Sequence, residues 1–287
     1  MLSKKLFLTV AVAAMCAACG KDETPTQYIP DENEIVLNIL HPNQTRVSET
    51  NFDVDDKIGV YVTHVDAELL LAGNEVTNYP FIYNGSVWTS QRSVYWNEGR
   101  HNIYAYYPYS SKINDIGDYE FSVQIDQSTP EAYAASDFLW ASVADVEATG
   151  EPVKMQFAHI LSRVVVKLVK GETFEGNLPN NMDVYIYSTV PKAVIDLSSG
   201  GVAKKAQEKI QSIKCKQMSN DTYSAIVVPQ KLSSRTPLVE IVADGVSYMM
   251  EGKISYNPGY SHTLTVTLSK SPENIKIDIG GEIVDWN

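Results

Sequence analysis

The feature that most constrains this chain is a two-residue alternation of apolar and polar side chains, repeated in short runs that turn residues cut apart. Tyr119-Glu120-Phe121-Ser122-Val123-Gln124-Ile125 places four apolar side chains on one side and three polar ones on the other. Thr263-Leu264-Thr265-Val266-Thr267-Leu268 and Ile275-Lys276-Ile277-Asp278-Ile279 repeat the pattern. Successive side chains of a strand point to opposite faces, so this period belongs to a half-buried strand and not to a helix. Further short apolar runs lie at 35–40, 58–62, 103–107, 164–169, 184–187, 225–228 and 239–243. Asn84-Gly85, Asn97-Glu98-Gly99, Ser199-Gly200-Gly201, Asp244-Gly245 and Asn257-Pro258-Gly259 separate them, each able to supply the φ > 0 that tight turns need. Seventeen Tyr against seven Phe suits pleated, half-buried surfaces. The expected fold is all-β, in antiparallel β-sandwiches and not βαβ units. Residues 203–210 are the one helical candidate, and 66–72 could close a single helical turn.

The turn-rich stretch Ala148-Thr149-Gly150-Glu151-Pro152 divides an aromatic-rich half from the strongest apolar strand, 162–169. It predicts two tandem domains, 34–150 and 151–287.

The first residues have another purpose. Lys4 and Lys5 precede an apolar run over 6–15, too short to cross a bilayer as a helix but of secretion-signal length. Cys16-Ala17-Ala18-Cys19 follows. Small residues before a cysteine let a lipoprotein signal peptidase reach the peptide bond. Residues 1–18 are therefore read as a lipoprotein signal peptide and Cys19 as the lipidated residue. Each acyl chain contributes roughly 0.8 kcal/mol per buried CH₂, so several chains anchor a soluble domain stably. Residues 19–33 are polar and contain Pro25 and Pro30, as a flexible tether should. Within them Lys21-Asp22-Glu23 resembles the lysine-plus-acidic surface-export signal of Bacteroidota lipoproteins.

The formal charge is −12, and loss of Lys4 and Lys5 makes it more negative. Such a surface disfavours nucleic acid and anionic headgroups as partners. With Cys19 acylated, only Cys215 remains, so no disulfide within the chain is available and packing must supply the stability. Cys215 reads as a packed or partly exposed thiol.

Catalytic spacing is absent. The five His are isolated, without the i, i+2 or i, i+4 spacing of a local zinc site. There is no Gly-x-Ser-x-Gly, no P-loop and no Gly-x-Gly-x-x-Gly. Asp53-Val54-Asp55-Asp56 begins like a calcium loop but lacks its glycine and its closing glutamate. It reads as a polar turn feeding a strand. No enzyme, metal or cofactor is expected. The aromatic sets Tyr95-Trp96 and Tyr104-Tyr106-Tyr107-Tyr109 could stack on sugars, yet core and sheet-face positions are the commoner use.

Several of these pieces carry a family resemblance. They are the cysteine at 19, the strand at 35–40, Thr45-Arg46, Phe52 with Asp55-Asp56-Lys57-Ile58-Gly59-Val60-Tyr61, and Tyr95-Trp96. Ile103-Tyr104-Ala105-Tyr106-Tyr107-Pro108, Asp137-Phe138-Leu139-Trp140-Ala141, Phe157-Ala158-His159-Ile160-Leu161-Ser162-Arg163-Val164 and Gly259-Tyr260-Ser261-His262-Thr263-Leu264 complete the series. In this order the chain resembles the fimbrillin family, fimbrial subunits and surface lipoproteins of Bacteroidota. On its own terms the piece at 55–61 is a turn into a buried strand, with Gly59 allowing close backbone approach, and His159 is a packed, hydrogen-bonded histidine.

The resemblance implies transthyretin-like sandwiches and assembly by donor-strand exchange. In that mode a first strand fills a groove of its own sandwich, a trypsin-like protease cuts after an arginine in the next loop, and a strand of another subunit replaces it. Ile35, Leu37 and Ile39 would be the inward face of the displaced strand, and Arg46 the maturation site. The resemblance also implies a fimbrial or adhesive role at the outer membrane, with other fimbrial subunits as partners and a host or bacterial surface ligand. The alternative is a monomeric surface module that binds glycans through exposed Tyr and Trp. A hydrolase stands third.

Overall fold

The computed structural model describes residues 31–42, 52–174, 176–179, 182–243, 245–269, 276–278 and 283–286. Among these residues the chain is all-β apart from one short helix. Its first half carries β1 (Leu37–Leu40), β2 (Lys57–His64), β3 (Val76–Tyr83), β4 (Trp88–Ser90), β5 (Arg100–Tyr107), β6 (Tyr119–Ser122), α1 (Pro130–Ala134), β7 (Leu139–Glu147), β8 (Val153–Gln156) and β9 (Ala158–His159). The second carries β10 (Ser162–Lys170), β11 (Met182–Thr189), β12 (Lys192–Asp196), β13 (Gly201–Lys204), β14 (Gln211–Lys214), β15 (Lys216–Gln217) and β16 (Thr222–Val227). β17 (Gln230–Ala243), β18 (Val246–Tyr256), β19 (Tyr260–Leu268), β20 (Lys276–Asp278) and β21 (Ile283–Asp285) follow.

One sheet has the order β8-β1-β4-β3-β2-β5-β7-β9. Its two outermost strands are halves of a single segment broken at Phe157. β8 runs parallel to β1, and β9 antiparallel to β7. The first and last strands of the sheet are therefore continuous in the chain, although β9 covers only Leu139 and Trp140 of β7. Ile35, Leu37, Val60, Phe81, Trp88, Ile103, Leu139 and Phe157 fill its interior. Gly59 serves a close approach, since a Cβ there would collide with the ring of Tyr106.

The second half forms a sandwich. A six-stranded sheet contains β15-β16-β10-β19-β20, with β21 also on β19, and a four-stranded sheet has the order β14-β11-β17-β18. Val164, Val166 and Leu168 of β10 share one core with Val184 and Ile186 of β11 and Ile241 of β17. Along the apolar run at 164–168 the even members are buried, Val165 between them is half-buried and Lys167 is exposed. A third small sheet, β13-β12-β6, joins the halves. Trp140 of β7 fastens the same junction, donating Nε1–H to the Leu197 carbonyl at 2.8 Å.

Three features differ from expectation. Two strand pairs are parallel, β1 with β8 and β10 with β19, because distant segments close each unit and hairpins cannot make such pairs. β8 and β9 hydrogen-bond to β1 and β7, and β6 pairs with β12. The helical candidate at 203–210 forms no helix: Ala203 and Lys204 end β13, and 205–210 continue as turn and irregular chain. Gly200, at φ 70°, turns the β12–β13 hairpin, and Ala203 pairs with Val194. The 66–72 segment forms no helix. The helix lies at Pro130–Ala134, where Thr129 Oγ1 accepts from the Ala132 N–H at 3.2 Å and Pro130 supplies a preset φ.

Candidate functional site

The residues around β1 form the best-defined candidate site. Asn33 clamps the incoming chain, its Nδ2 donating to the Trp96 carbonyl at 3.1 Å while Trp96 N–H donates to the Asn33 carbonyl at 3.0 Å. Ile35 N–H then donates to the Val94 carbonyl at 2.8 Å. On this flank Leu37 pairs antiparallel with Trp88. On the other, Leu37 to Leu40 pair in parallel with Val153 to Gln156. Val153 N–H reaches the Val36 carbonyl at 2.9 Å and Phe157 N–H the Leu40 carbonyl at 3.0 Å. β1 is an interior strand bonded on both sides.

Its side chains are equally committed. Ile35, Leu37 and Ile39 are 1%, 0% and 5% exposed and sit in the core with Trp88, Trp96 and Met155. Val36 is also buried, beyond what simple alternation predicts. Leu40 is 42% exposed and marks where burial ends.

Beyond Leu40 the chain passes His41 and Pro42 and is next described at Phe52. The His41 and Phe52 rings meet edge-on with centroids 5.0 Å apart, so the two ends of the 43–51 connection are neighbours. Phe52 also contacts Trp88, Tyr107 and Phe157. Ile39, Leu40, His41, Phe52 and Val54 line a cleft of about 530 Å³ at this pole. Arg46 lies in the connection, outside the described residues, as do Cys19, Lys21, Asp22 and Glu23.

A second cluster touches the end of β1. His159 is 2% exposed and its Nδ1 lies 2.9 Å from Asp137 Oδ2. Its ring stacks flat on Trp286, at 3.8 Å and 1°. Arg163 lies over the same indole, 5.2 Å from the centroid, and its Nε donates to Ser261 Oγ at 3.0 Å. His41 approaches His159 edge-on at 5.8 Å. Burial pushes the His41 pKa down to about 4; His159 lowers it further, and the Asp137 carboxylate opposes both. The packed histidine at 159 was legible from its apolar neighbours. Nothing beside His159 in the sequence names Asp137 or Trp286 as its partners, since they come from 22 residues before it and from position 286.

The remaining sequence candidates are structural. Asp53–Asp56 is a turn: Asp56 N–H donates to the Asp53 carbonyl at 3.0 Å, and Asp53 N–H to Asp56 Oδ2 at 2.9 Å. Burial raises the Asp56 pKa. Among the described residues no group of three or more His, Cys, Asp and Glu is placed to hold a metal. Cys215 is buried, and burial pushes its thiol pKa up, which disfavours the thiolate. Trp96 and Tyr106 are interior, the latter stacked on Phe138 at 5.9 Å. Only Tyr95 of the paired aromatics stands out, at 49% exposure.

Comparison with known proteins agrees with this geometry. A family described as fimbrillin-like matches residues 45–286. Over 180 residues the chain is 31% identical to a Bacteroides ovatus protein provisionally named the fimbrium tip subunit Fim1C. The match spans 53% of this chain but only 32% of that relative. A crystal structure provisionally described as a cell adhesion protein of Bacteroides ovatus superposes over 88% of this chain and 97% of its own, with TM-score 0.68 at 22% identity. A similarly described protein of Bacteroides uniformis covers 90% of this chain and 100% of its own, with TM-score 0.70 at 18% identity. At these identities the two crystal structures bear on the fold alone.

Proposed function

The chain belongs to the fimbrillin-like family, and on that premise we propose that it is a lipid-anchored fimbrial or adhesive subunit that assembles by donor-strand exchange. The observation that carries this reading is β1. It is an interior strand with a fully buried face, yet only the 43–51 connection joins its end to the rest of the fold, and that connection contains Arg46. A cut after Arg46 would leave β1 held by non-covalent contacts alone, between Trp88 on one side and Val153–Gln156 on the other. Its departure would open a groove lined by Trp88, Met155 and Phe157, which a strand of another subunit would fill by β-augmentation. The family match itself begins at residue 45, past this strand.

Cys19 is the proposed lipid attachment, Lys21-Asp22-Glu23 the export signal, and the outer face of the outer membrane the location. Other fimbrial subunits are the proposed partners, and the role is structural or adhesive, as the relatives' names indicate. We place the division between the two units near Ile160, since β8 and β9 bond within the first sheet. The glycan-platform reading needs clustered exposed aromatics. Among the described residues the strongly exposed ones are Tyr95 and Tyr260, far apart in sequence.

Trypsin treatment of the folded precursor tests the proposal. Cleavage after Arg46 should produce sodium dodecyl sulfate-resistant oligomers, and Arg46→Ala should form none under the same treatment. Cleaved protein that keeps residues 31–42 bound and forms no sodium dodecyl sulfate-resistant oligomers on standing would refute donor-strand exchange by this route.

A further inference from the structure

β18 is the outermost strand of the four-stranded sheet, and among the described residues nothing pairs with its outer side. At 11 residues it is long for an exposed edge. Long edges are a liability that proteins blunt with charge or use for pairing. Its centre reads Glu251-Gly252-Lys253. Glu251 and Lys253 are two positions apart, so both project from the same, exposed face, with Gly252 between them.

From this arrangement we propose that β18 pairs antiparallel with β18 of a second copy about a two-fold axis at Gly252. Residues opposite each other in an antiparallel pair share a face, so each copy's Glu251 then stands opposite Lys253 of the other, twice per contact. The register is selective. Centring the axis on Glu251 places two glutamates opposite each other, and centring it on Lys253 places two lysines. Parallel in-register pairing sets like beside like throughout. A shift by one residue would turn the buried face of one copy toward solvent on the other. Gly252 removes side-chain bulk where the two backbones cross the axis. On the core side Met250, 3% exposed, would meet the half-buried Ile254 of the second copy, which continues the apolar layer across the axis. Arg235 of β17 already holds Glu251 at 3.1 Å and adds a second cation beside the same carboxylate. The occupant is a second copy of this chain, because the charges that specify the register are complementary to themselves.

The proposal is independent of β1 and of Arg46. Its test is analytical ultracentrifugation of the purified full chain, uncleaved, from micromolar into the millimolar range, as wild type, Glu251→Lys, Lys253→Glu and the double reversal. Each single reversal sets two like-charge pairs across the axis and should weaken the dimer about tenfold. The double reversal restores both pairs and should return the wild-type constant, even though it also breaks the Arg235 contact. A wild type that stays monomeric throughout would overturn the proposal. So would single variants that dimerise like wild type, or a double reversal no tighter than the singles.

Discussion

Deleting the chain through Arg46 should cost the first unit most of its stability, and supplying β1 in trans should return it. The deletion removes four buried aliphatic side chains, Ile35, Val36, Leu37 and Ile39, none more than 5% exposed. At about 1.5–3 kcal/mol for each full burial, the loss is roughly 6–12 kcal/mol. It also strips partners from backbone groups of 88, 94 and 153–157, which water can satisfy once the groove opens. Domains of this size are stable by about 5–15 kcal/mol in all, so the first unit should unfold or recruit another strand. Trp88 and Trp96, both buried against β1, provide the signal. Urea unfolding followed by tryptophan fluorescence should show the truncated chain's first transition lost or moved far below that of the intact chain. A peptide of residues 33–41 should restore it, and the same peptide with Leu37→Asp should not. An unchanged midpoint after truncation, or equal rescue by both peptides, would refute the reasoning, because β1 would then be an accessory strand and not a structural plug.

Trp286→Ala should destabilise the protein by about 3–5 kcal/mol, the usual cost of removing a buried aromatic, and Trp286→Phe should recover part of it by keeping a ring on His159; thermal melts of the three proteins decide this. Acidification should weaken the fold. His41 has a folded pKa of about 4 against 6.5 unfolded, so between those values the unfolded chain binds more protons and stability falls as pH falls. His262, also lowered by burial and accepting the Asn257 N–H at 3.0 Å through Nε2, adds to the same trend. His41 is partly solvated, so its share should be on the order of 1 kcal/mol, measured as a urea midpoint that drops from pH 7 to pH 4 and drops less in His41→Phe. Cys19→Ala should move the protein from the membrane to the soluble fraction, and mass spectrometry should find an acylated N-terminal peptide only in the wild type.

Local order in this chain is written in its side-chain pattern. The apolar run at 162–169 and the period of two along 263–268 return as β10 and β19, and the polar turn at 53–56 leads into β2, because these depend on neighbours within a few residues. The inward set Ile35, Leu37, Ile39 was legible for the same reason. Where local cues competed they misled. The lysine- and alanine-rich stretch at 203–210 favours helix, yet pairing of Ala203 with Val194 across the Gly200 turn draws its start into a strand. The short helix at 130–134 announced itself in Thr129-Pro130-Glu131, a cap signature that is easily passed over when no apolar period follows. Partnership across the chain was not legible. Nothing near Leu37 names Val153 as its parallel neighbour, nothing near His159 names Trp286, and nothing in Glu251-Gly252-Lys253 says that this strand lies at an edge. Alternation specifies which face of a strand is buried but not which strand lies beside it. That choice is made by closing each unit around a shared core, and only the tertiary structure carries it.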